Sequence, residues 1–249
     1  MAETAAERQS AIQSMPVFPL IPYDVEACIT ARVLIAGSED GKNSPGAAAY
    51  RMLRTRILQR ARSNSWNTIG VTSPGQGDGK SITAINLALA AAREGNNNVF
   101  LIDLDMRNPK VCQYLGVAPD RNINDYFTED AAAKDVMFSI GVDNLSVAGT
   151  LKRTDRASEL LATGRVEELF QYVRGVAPEP LIIVDLPPLL STDDAIIIAP
   201  KVDACLLVLS EGKSRRDGAA QALDLLSEYA LAGIVLNRSH ATVADYYSS

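Results

Sequence analysis

Continuous apolar runs alternate with amphipathic stretches along the chain from residue 67 onward. Runs such as 99–102, 181–184 and 205–209 have no polar interruption, which is typical of strands covered on both faces of a sheet. The pattern predicts strands at 68–73, 98–104, 144–149, 181–186, 203–209 and 232–237. It predicts helices at 45–61, 81–94, 157–174 and 215–229. This alternation indicates an α/β fold: a single domain with a doubly wound, mostly parallel sheet flanked by helices.

The first 44 residues have a different pattern, with prolines at 16, 19 and 22 and a polar stretch at 37–44. We expect an N-terminal arm over 1–44 that is partly disordered and contains one strand at 29–35. The main domain is expected over 45–238, followed by a flexible tail over 239–249. The first helix of the domain has Pro45 near its start, where proline is tolerated. Its basic face carries Arg51, Arg54, Arg56 and Arg60.

The segment 73–81 reads Ser-Pro-Gly-Gln-Gly-Asp-Gly-Lys-Ser and lies between a predicted strand and a predicted helix. Glycines allow a tight turn whose N–H groups converge on a polyphosphate, and the next helix points its positive end at the same anion. Lys80 can reach the β- and γ-phosphates, and the Ser81 hydroxyl can ligate Mg²⁺. Pro74 stands where the strict pattern has glycine, at the mouth of the loop. The segment therefore predicts a phosphate-binding loop, or P-loop.

Acidic residues follow two of the predicted strands. Asp103 and Asp105 are placed on one face at the exit of their strand, where two carboxylates can hold Mg²⁺ and accept a proton from an attacking hydroxyl. The alternative is a solvated strand end with a salt bridge to Arg107. Asp185 directly follows the apolar run 181–184, which is the Walker B arrangement that anchors the Mg²⁺ water shell.

Charge and composition exclude several classes of protein. The net charge of −6 and the pI near 4.9 argue against a protein that binds nucleic acid through bulk charge. Three isolated cysteines are expected to be buried, reduced thiols. No apolar run approaches the roughly 18–20 residues of a membrane span, so we expect a cytoplasmic protein that reaches the inner face of the membrane through a partner.

With these motifs together, the chain resembles the cytosolic kinase domain of bacterial tyrosine kinases from exopolysaccharide and capsule loci, which are related to MinD- and ParA-type ATPases. The resemblance runs from about Ser44 to the C-terminus. It rests on the Asp-x-Asp-x-Arg pattern ending at Arg107 and on the helix that carries Tyr50-Arg51-Met52-Leu53-Arg54-Thr55. Further matches are Ser158-Glu159-Leu160-Leu161, Asp185-Leu186-Pro187-Pro188 with Asp194, and Gly233-Ile234-Val235-Leu236-Asn237.

The resemblance implies a P-loop kinase that uses ATP and Mg²⁺ to phosphorylate tyrosines in its C-terminal tail, here Tyr246 and Tyr247. Lys80, Asp103 and Asp105 would be catalytic, with Asp103 the favoured base. Mg²⁺ would be held by Ser81, Asp103 and Asp185. The implied nucleotide-binding residues are Gly75, Gly77, Asp78, Gly79, Lys80, Ser81, Ile82, Arg107 and Asn237.

The resemblance also implies partners. One partner is a membrane-anchored polysaccharide co-polymerase, or chain-length determinant, that activates the kinase. The chain is also expected to form a homo-oligomer and to have a cognate phosphatase. Nucleic acid is not among the expected partners. Ala48 stands where the family has the glutamate of its ring-forming helix, which argues against an octameric ring.

Three functions remain open at this point. The favoured one is a tyrosine autokinase that regulates polysaccharide polymerisation and export. The second is a non-kinase ATP-binding or ATPase module of a membrane polysaccharide assembly system, which Ala48 and the short tyrosine tail favour. The third is a partition or positioning ATPase, which Gly75 argues against because that class has a lysine at this position.

Overall fold

The computed structural model describes residues 17–34, 44–95, 97–128 and 130–239. The helices are α1 (Val25–Ala31), α2 (Pro45–Asn64), α3 (Lys80–Ala92), α4 (Val111–Leu115), α5 (Ile123–Phe127), α6 (Ala157–Leu161), α7 (Arg165–Val176), α8 (Asp194–Ile198) and α9 (Arg216–Leu225). The strands are β1 (Thr68–Thr72), β2 (Val99–Asp103), β3 (Phe138–Ser139), β4 (Leu145–Ala148), β5 (Leu181–Asp185), β6 (Ala204–Ser210) and β7 (Leu231–Asn237). Short 3₁₀ turns lie at Ala133–Val136 and Ala199–Lys201.

The strands form one seven-stranded sheet in the order β3-β4-β2-β5-β1-β6-β7. All neighbours pair in parallel except β3, which is antiparallel to β4. The six predicted strands are therefore confirmed, and β3 is an addition that its two-residue length hid in the sequence. The carboxyl ends of the parallel strands share one edge, where ligands bind in sheets of this kind.

The core lies in two layers, one on each face of the sheet. In β2, Val99 and Leu101 belong to the buried cluster on the α3 side, whereas Phe100 and Ile102 belong to the cluster on the opposite side, which includes residues of α7. This alternation follows from the two-residue period of a strand. Helix α3 is rich in alanine and leucine and is buried along almost its whole length, as expected of a helix that is apolar all round. The predicted α/β architecture is confirmed.

Helix α2 begins where the sequence predicts it. The Ser44 side chain caps its first turn by accepting a hydrogen bond from the Ala47 N–H at 3.1 Å, and Pro45 occupies the first turn. The predicted helix 157–174 is instead two helices, α6 and α7, because the chain turns at 162–164. Cys28, Cys112 and Cys205 are buried free thiols, as predicted.

The strand predicted at 29–35 is wrong, because residues 25–31 form helix α1. Asp24 caps this helix by accepting a hydrogen bond from the Ala27 N–H at 2.8 Å, and this local cap outweighs the β-branched residues of the segment. The described part of the arm also packs on the domain. Backbone bonds join Pro19 and Ile21 to Ser139 of β3, so this segment extends the edge of the sheet.

Candidate nucleotide-binding site

The P-loop connects β1 to α3 and is stabilised by hydrogen bonds between its own residues. Its Gly75 N–H donates to the Asp78 carboxylate at 3.1 Å, and the Ser73 hydroxyl donates to the Gly75 carbonyl at 2.8 Å. Gly79 has φ of +97°, a left-handed conformation that glycine adopts without penalty. A Cβ at Gly79 would also lie 2.0 Å from the Asn237 amide nitrogen. The backbone conformation therefore favours glycine here, and any side chain would also displace the Asn237 amide.

The sheet places the two acidic motifs side by side. Strands β2 and β5 are neighbours, and their register pairs Asp103 with Asp185. Asp105 lies two residues beyond the first of these, and all three carboxylates are buried. The sequence had predicted each acid at a strand end, and the sheet order brings them together beneath the P-loop.

Lys80 lies among these carboxylates. Its ammonium Nζ is 2.6 Å from Asp105 Oδ2 and 3.0 Å from Asp185 Oδ1, and it is 3.2 Å from the Ser81 hydroxyl. The lysine side chain is only 7% exposed. The ammonium of Lys80 is thus neutralised by two acids of the site.

Burial and the charges of neighbouring groups shift the pKa values of the acids and of Lys80. Burial, and next the neighbouring Asp185 charge, raise the pKa of Asp103 well above its ordinary value. Burial likewise raises the pKa of Asp185, against the opposing effect of Lys80. Burial alone would lower the pKa of Lys80, but Asp185 and Asp105 outweigh it and raise that pKa. One lysine thus faces three buried carboxylates, and the raised pKa values reflect that excess of acids.

The donor set fits a magnesium ion bound mainly through water. Asp185 Oδ2 is buried and has no hydrogen-bond partner among the described residues, and the Ser81 hydroxyl lies next to the Lys80 ammonium. The described residues contain no group of three or more His, Cys, Asp or Glu side chains arranged as a metal cage. Mg²⁺ commonly uses one or two protein carboxylates, waters and substrate phosphates instead of such a cage.

Asp103, at the end of β2, and Asp105, two residues further on, differ in their access to the cavity. A cavity of about 850 Å³ opens over the P-loop and is lined by Asp105, but not by Asp103. Both oxygens of Asp103 accept backbone N–H bonds: Oδ1 from Asp105, and Oδ2 from Lys110 and Val111. Asp103 therefore also holds the start of helix α4 in place.

Most of the predicted nucleotide-binding residues meet at this cavity. Its lining includes Gly77, Gly79, Lys80, Ser81, Ile82 and Asn237. The arm forms another wall with Thr30, Arg32 and Leu34, which the sequence did not predict because it gave this segment a strand. The Leu34 N–H donates to the Asn86 side chain of α3 at 2.7 Å, so helix packing fixes this wall.

Arg107 lies elsewhere and does not line the cavity. Its guanidinium donates to both carboxylate oxygens of Asp194, at 2.6 and 3.2 Å, and to the Ser158 hydroxyl at 2.8 Å. The salt bridge considered as the alternative for this motif thus exists, but its acid is Asp194 and not Asp103 or Asp105. In this structure Arg107 joins helices α6 and α8.

Two basic residues at the P-loop were missed by the sequence reasoning. Lys213 donates to the Gln76 carbonyl at 2.7 Å, and Arg238 donates to the Gly77 carbonyl at 3.1 Å. A usable signal was present, since each follows a predicted strand at its carboxyl end. The predicted acceptors Tyr246 and Tyr247 lie outside the described residues, so their role stays a prediction.

This combination of P-loop, paired strand-end acids and parallel sheet defines a P-loop NTPase. The chain belongs to the ParA family: a family model described as "ParA: NUBPL iron-transfer P-loop NTPase" matches residues 64–246. Nucleotide binding is the shared property of this class.

Among its relatives are bacterial tyrosine-protein kinases, which confirms the resemblance found in the sequence. Tyrosine-protein kinase YwqD of Bacillus subtilis is 29% identical over 190 residues, which cover 76% of this chain and 79% of YwqD. Tyrosine-protein kinase CpsD of Streptococcus agalactiae is 27% identical over 200 residues, covering 79% of this chain and 85% of CpsD. The solved BceF tyrosine kinase domain matches with a TM-score of 0.70 at 26% identity, covering 94% of this chain and 97% of that domain.

Proposed function

We propose that this chain is an ATP-dependent protein-tyrosine autokinase. It transfers the γ-phosphate of ATP to tyrosines of its own C-terminal tail and thereby regulates polymerisation and export of an exopolysaccharide or capsule. The observation that carries this proposal is the P-loop lysine held by carboxylates from two neighbouring strands. Phosphorylation of a hydroxyl needs a polyphosphate cradle and a base in one place, and the kinases YwqD and CpsD are relatives of this chain.

The residues of the site divide the task of phosphoryl transfer. The P-loop N–H groups and Lys80 hold the phosphates, and Lys80 leaves Asp105 and Asp185 to do so. Mg²⁺ at Ser81, Asp103 and Asp185 supplies charge neutralisation on the phosphate oxygens when it is bound. The acceptor oxygen of tyrosine attacks the γ-phosphorus, ADP leaves, and a carboxylate takes the phenolic proton.

The base belongs to the Asp103 and Asp105 pair. A phenol with a pKa near ~10 needs such a base at neutral pH. Burial raises the pKa of Asp103, which makes it a stronger base once ionised, whereas Asp105 is the acid that lines the cavity. Asp103→Asn and Asp105→Asn separate the two: at saturating Mg-ATP, loss of the base lowers the rate of tyrosine phosphorylation about 100-fold or more, and loss of the other acid lowers it less.

The decisive test is incubation of the purified chain with Mg-ATP, followed by intact mass and peptide mapping. Phosphate on Tyr246 or Tyr247, absent from Lys80→Met, is the expected result. The control variant Tyr246→Phe with Tyr247→Phe should keep ATP affinity and lose the tail phosphate. ATP binding without any phosphotyrosine, even with the cytosolic segment of the co-polymerase added, would contradict the kinase proposal.

The partner and the oligomer follow from the same proposal. No helix among the described residues is long and apolar enough to cross a bilayer. We propose that a membrane-anchored co-polymerase brings the kinase to the membrane and activates it. Arg54 of the basic helix is engaged within its own chain, with its Nε 3.2 Å from Glu94. Light scattering with and without the co-polymerase segment tests whether self-association needs that partner.

A further inference from the structure

Three successive carbonyls of the P-loop accept hydrogen bonds from side chains that lie outside the loop. The donors and acceptors are Lys213 Nζ to Gln76 O at 2.7 Å, Arg238 Nη2 to Gly77 O at 3.1 Å, and Asn237 Nδ2 to Asp78 O at 3.0 Å. One donor comes from the turn after β6, and two come from the end of β7. The P-loop is thus held from outside along consecutive peptide groups.

The sheet topology explains why these donors meet the loop. Strands β1, β6 and β7 are adjacent and parallel, so the segments that leave their carboxyl ends lie side by side. The two donor segments are also tied together, because the Glu211 N–H donates to the Asn237 carbonyl at 2.9 Å.

Arg238 reaches the loop from a left-handed conformation, with φ of +58°. This conformation costs a non-glycine residue roughly 1–2 kcal/mol. Its own N–H donates to the Asn237 side-chain oxygen at 2.9 Å, which stabilises the turn. Strain of this kind concentrates at functional sites.

The geometry of the peptide bond links these carbonyl contacts to the direction of the N–H groups in the loop. In a trans peptide the C=O of one residue and the N–H of the next point in opposite directions. Drawing the carbonyls of Gln76, Gly77 and Asp78 outward therefore turns the N–H groups of Gly77, Asp78 and Gly79 away from the donors. Those N–H groups belong to the part of the loop that would cradle a polyphosphate.

We propose that Lys213 and Arg238 are positioning residues that set the orientation of the P-loop peptides for polyphosphate, with Asn237 completing the series. They act through the loop carbonyls and not by direct contact with phosphate. The inference rests on polyphosphate binding by the P-loop and is independent of tyrosine transfer, so a chain that binds nucleotide but phosphorylates nothing still tests it.

The experiment uses the full chain with Lys213→Met combined with Arg238→Met. Calorimetry with ADP, ATP and adenosine should show ADP and ATP weakened by a common factor of about ten or more, with adenosine unchanged. The factor should be the same at low and high ionic strength, because peptide orientation is not screened by salt. Arg216→Met, which removes a nearby exposed charge from the start of α9, should have no effect on these affinities.

A second readout excludes a purely electrostatic or a purely structural role. In the nucleotide-free protein, the ¹H–¹⁵N resonances of Gly77, Asp78 and Gly79 should shift in the double variant, while the sheet amides and the melting temperature stay unchanged. Lys213→Arg, which keeps a donor, should leave these resonances near their original positions. A larger loss for ATP than for ADP, a loss that vanishes at high salt, or unshifted loop resonances would each overturn the proposal.

Discussion

The segment 103–107 contributes to two ionic clusters that differ in balance. At the floor of the cavity, Lys80 meets Asp105 and Asp185 with Asp103 adjacent. Arg107, two residues beyond Asp105, meets Asp194 through two hydrogen bonds and reaches Ser158 with a third. Both clusters bury their carboxylates. The first has three carboxylates around one lysine and an Asp185 oxygen that has no hydrogen-bond partner within the described part of the chain, whereas the second has a matched cation for its acid.

This difference in charge balance indicates which cluster is suited to bind a ligand. Burying unbalanced carboxylates is costly, and burial with mutual repulsion raises the pKa values of Asp103 and Asp185. In the other cluster burial opposes ionisation, but the bonds from Arg107 and Ser158 outweigh it and lower the pKa of Asp194. We propose that the surplus of carboxylates marks the site of cation and phosphate chemistry, and that the matched ion pair marks the scaffold beside it.

The largest effect is expected from Lys80→Met. It removes the cation that we propose contacts the phosphates, so the proposed phosphorylation of the tail should fall by about 1000-fold or more. The measurement is phosphopeptide formation from Mg-ATP over time, with Arg216→Met as the surface control. Activity within tenfold of the original protein would place the chemistry away from this cluster.

Arg107→Met should act on stability instead of on nucleotide binding. It leaves the Asp194 carboxylate, which is 1% exposed, without its cation, at a cost of about 2–4 kcal/mol in the free energy of unfolding. Urea unfolding measures that loss, and calorimetry with ADP should show affinity within about threefold. Arg107→Lys should lose less, since it keeps the charge but not the planar fork. A stable variant with lost ADP affinity would support the nucleotide-binding role that the resemblance implies for Arg107.

Asp185→Asn should change how stability depends on pH. Because the folded pKa values of Asp103 and Asp185 are raised, the folded state binds more protons than the unfolded state. The resulting stability is full below about pH 4 and is lost as the pH rises through the raised values. Asp185→Asn removes one of these groups, so the melting temperature of the variant should fall less steeply than that of the original protein as the pH rises towards neutral. Parallel curves in metal-free buffer would contradict this account.

The smallest effect is expected at a third ion pair, on the surface. Arg156 and Glu159 lie 2.9 Å apart, with side chains 72% and 66% exposed. Arg156→Gln should change the free energy of unfolding by less than about 0.5 kcal/mol, because exposed pairs gain little over hydration. Urea unfolding of Arg156→Gln and Arg107→Met under the same conditions compares the two losses of unfolding free energy directly. Equal losses of unfolding free energy in the two variants would mean that burial does not decide how much each ion pair contributes to stability.

The sequence predicted the sheet and the positions of the P-loop and strand-end acids better than it predicted the arm. Strand periodicity and the P-loop spacing are local properties, so β1, α3 and the strand-end acids could be placed from residue order alone. Helix α1 was missed because the Asp24 cap outweighs the β-branched residues of its segment. Lys213 and Arg238 were missed because each becomes a loop ligand only when β6 and β7 lie beside β1.

The sequence by itself determined that a P-loop, a lysine and three strand-end acids exist on a parallel α/β fold, since each depends on neighbours in the chain. The tertiary structure alone decided their partners. It paired Asp103 with Asp185, turned Arg107 to Asp194, and brought Lys213 and Arg238 to the P-loop carbonyls. The physical reason is strand order: charge balance and burial depend on which strand ends are adjacent, and residue order along the chain does not contain that information.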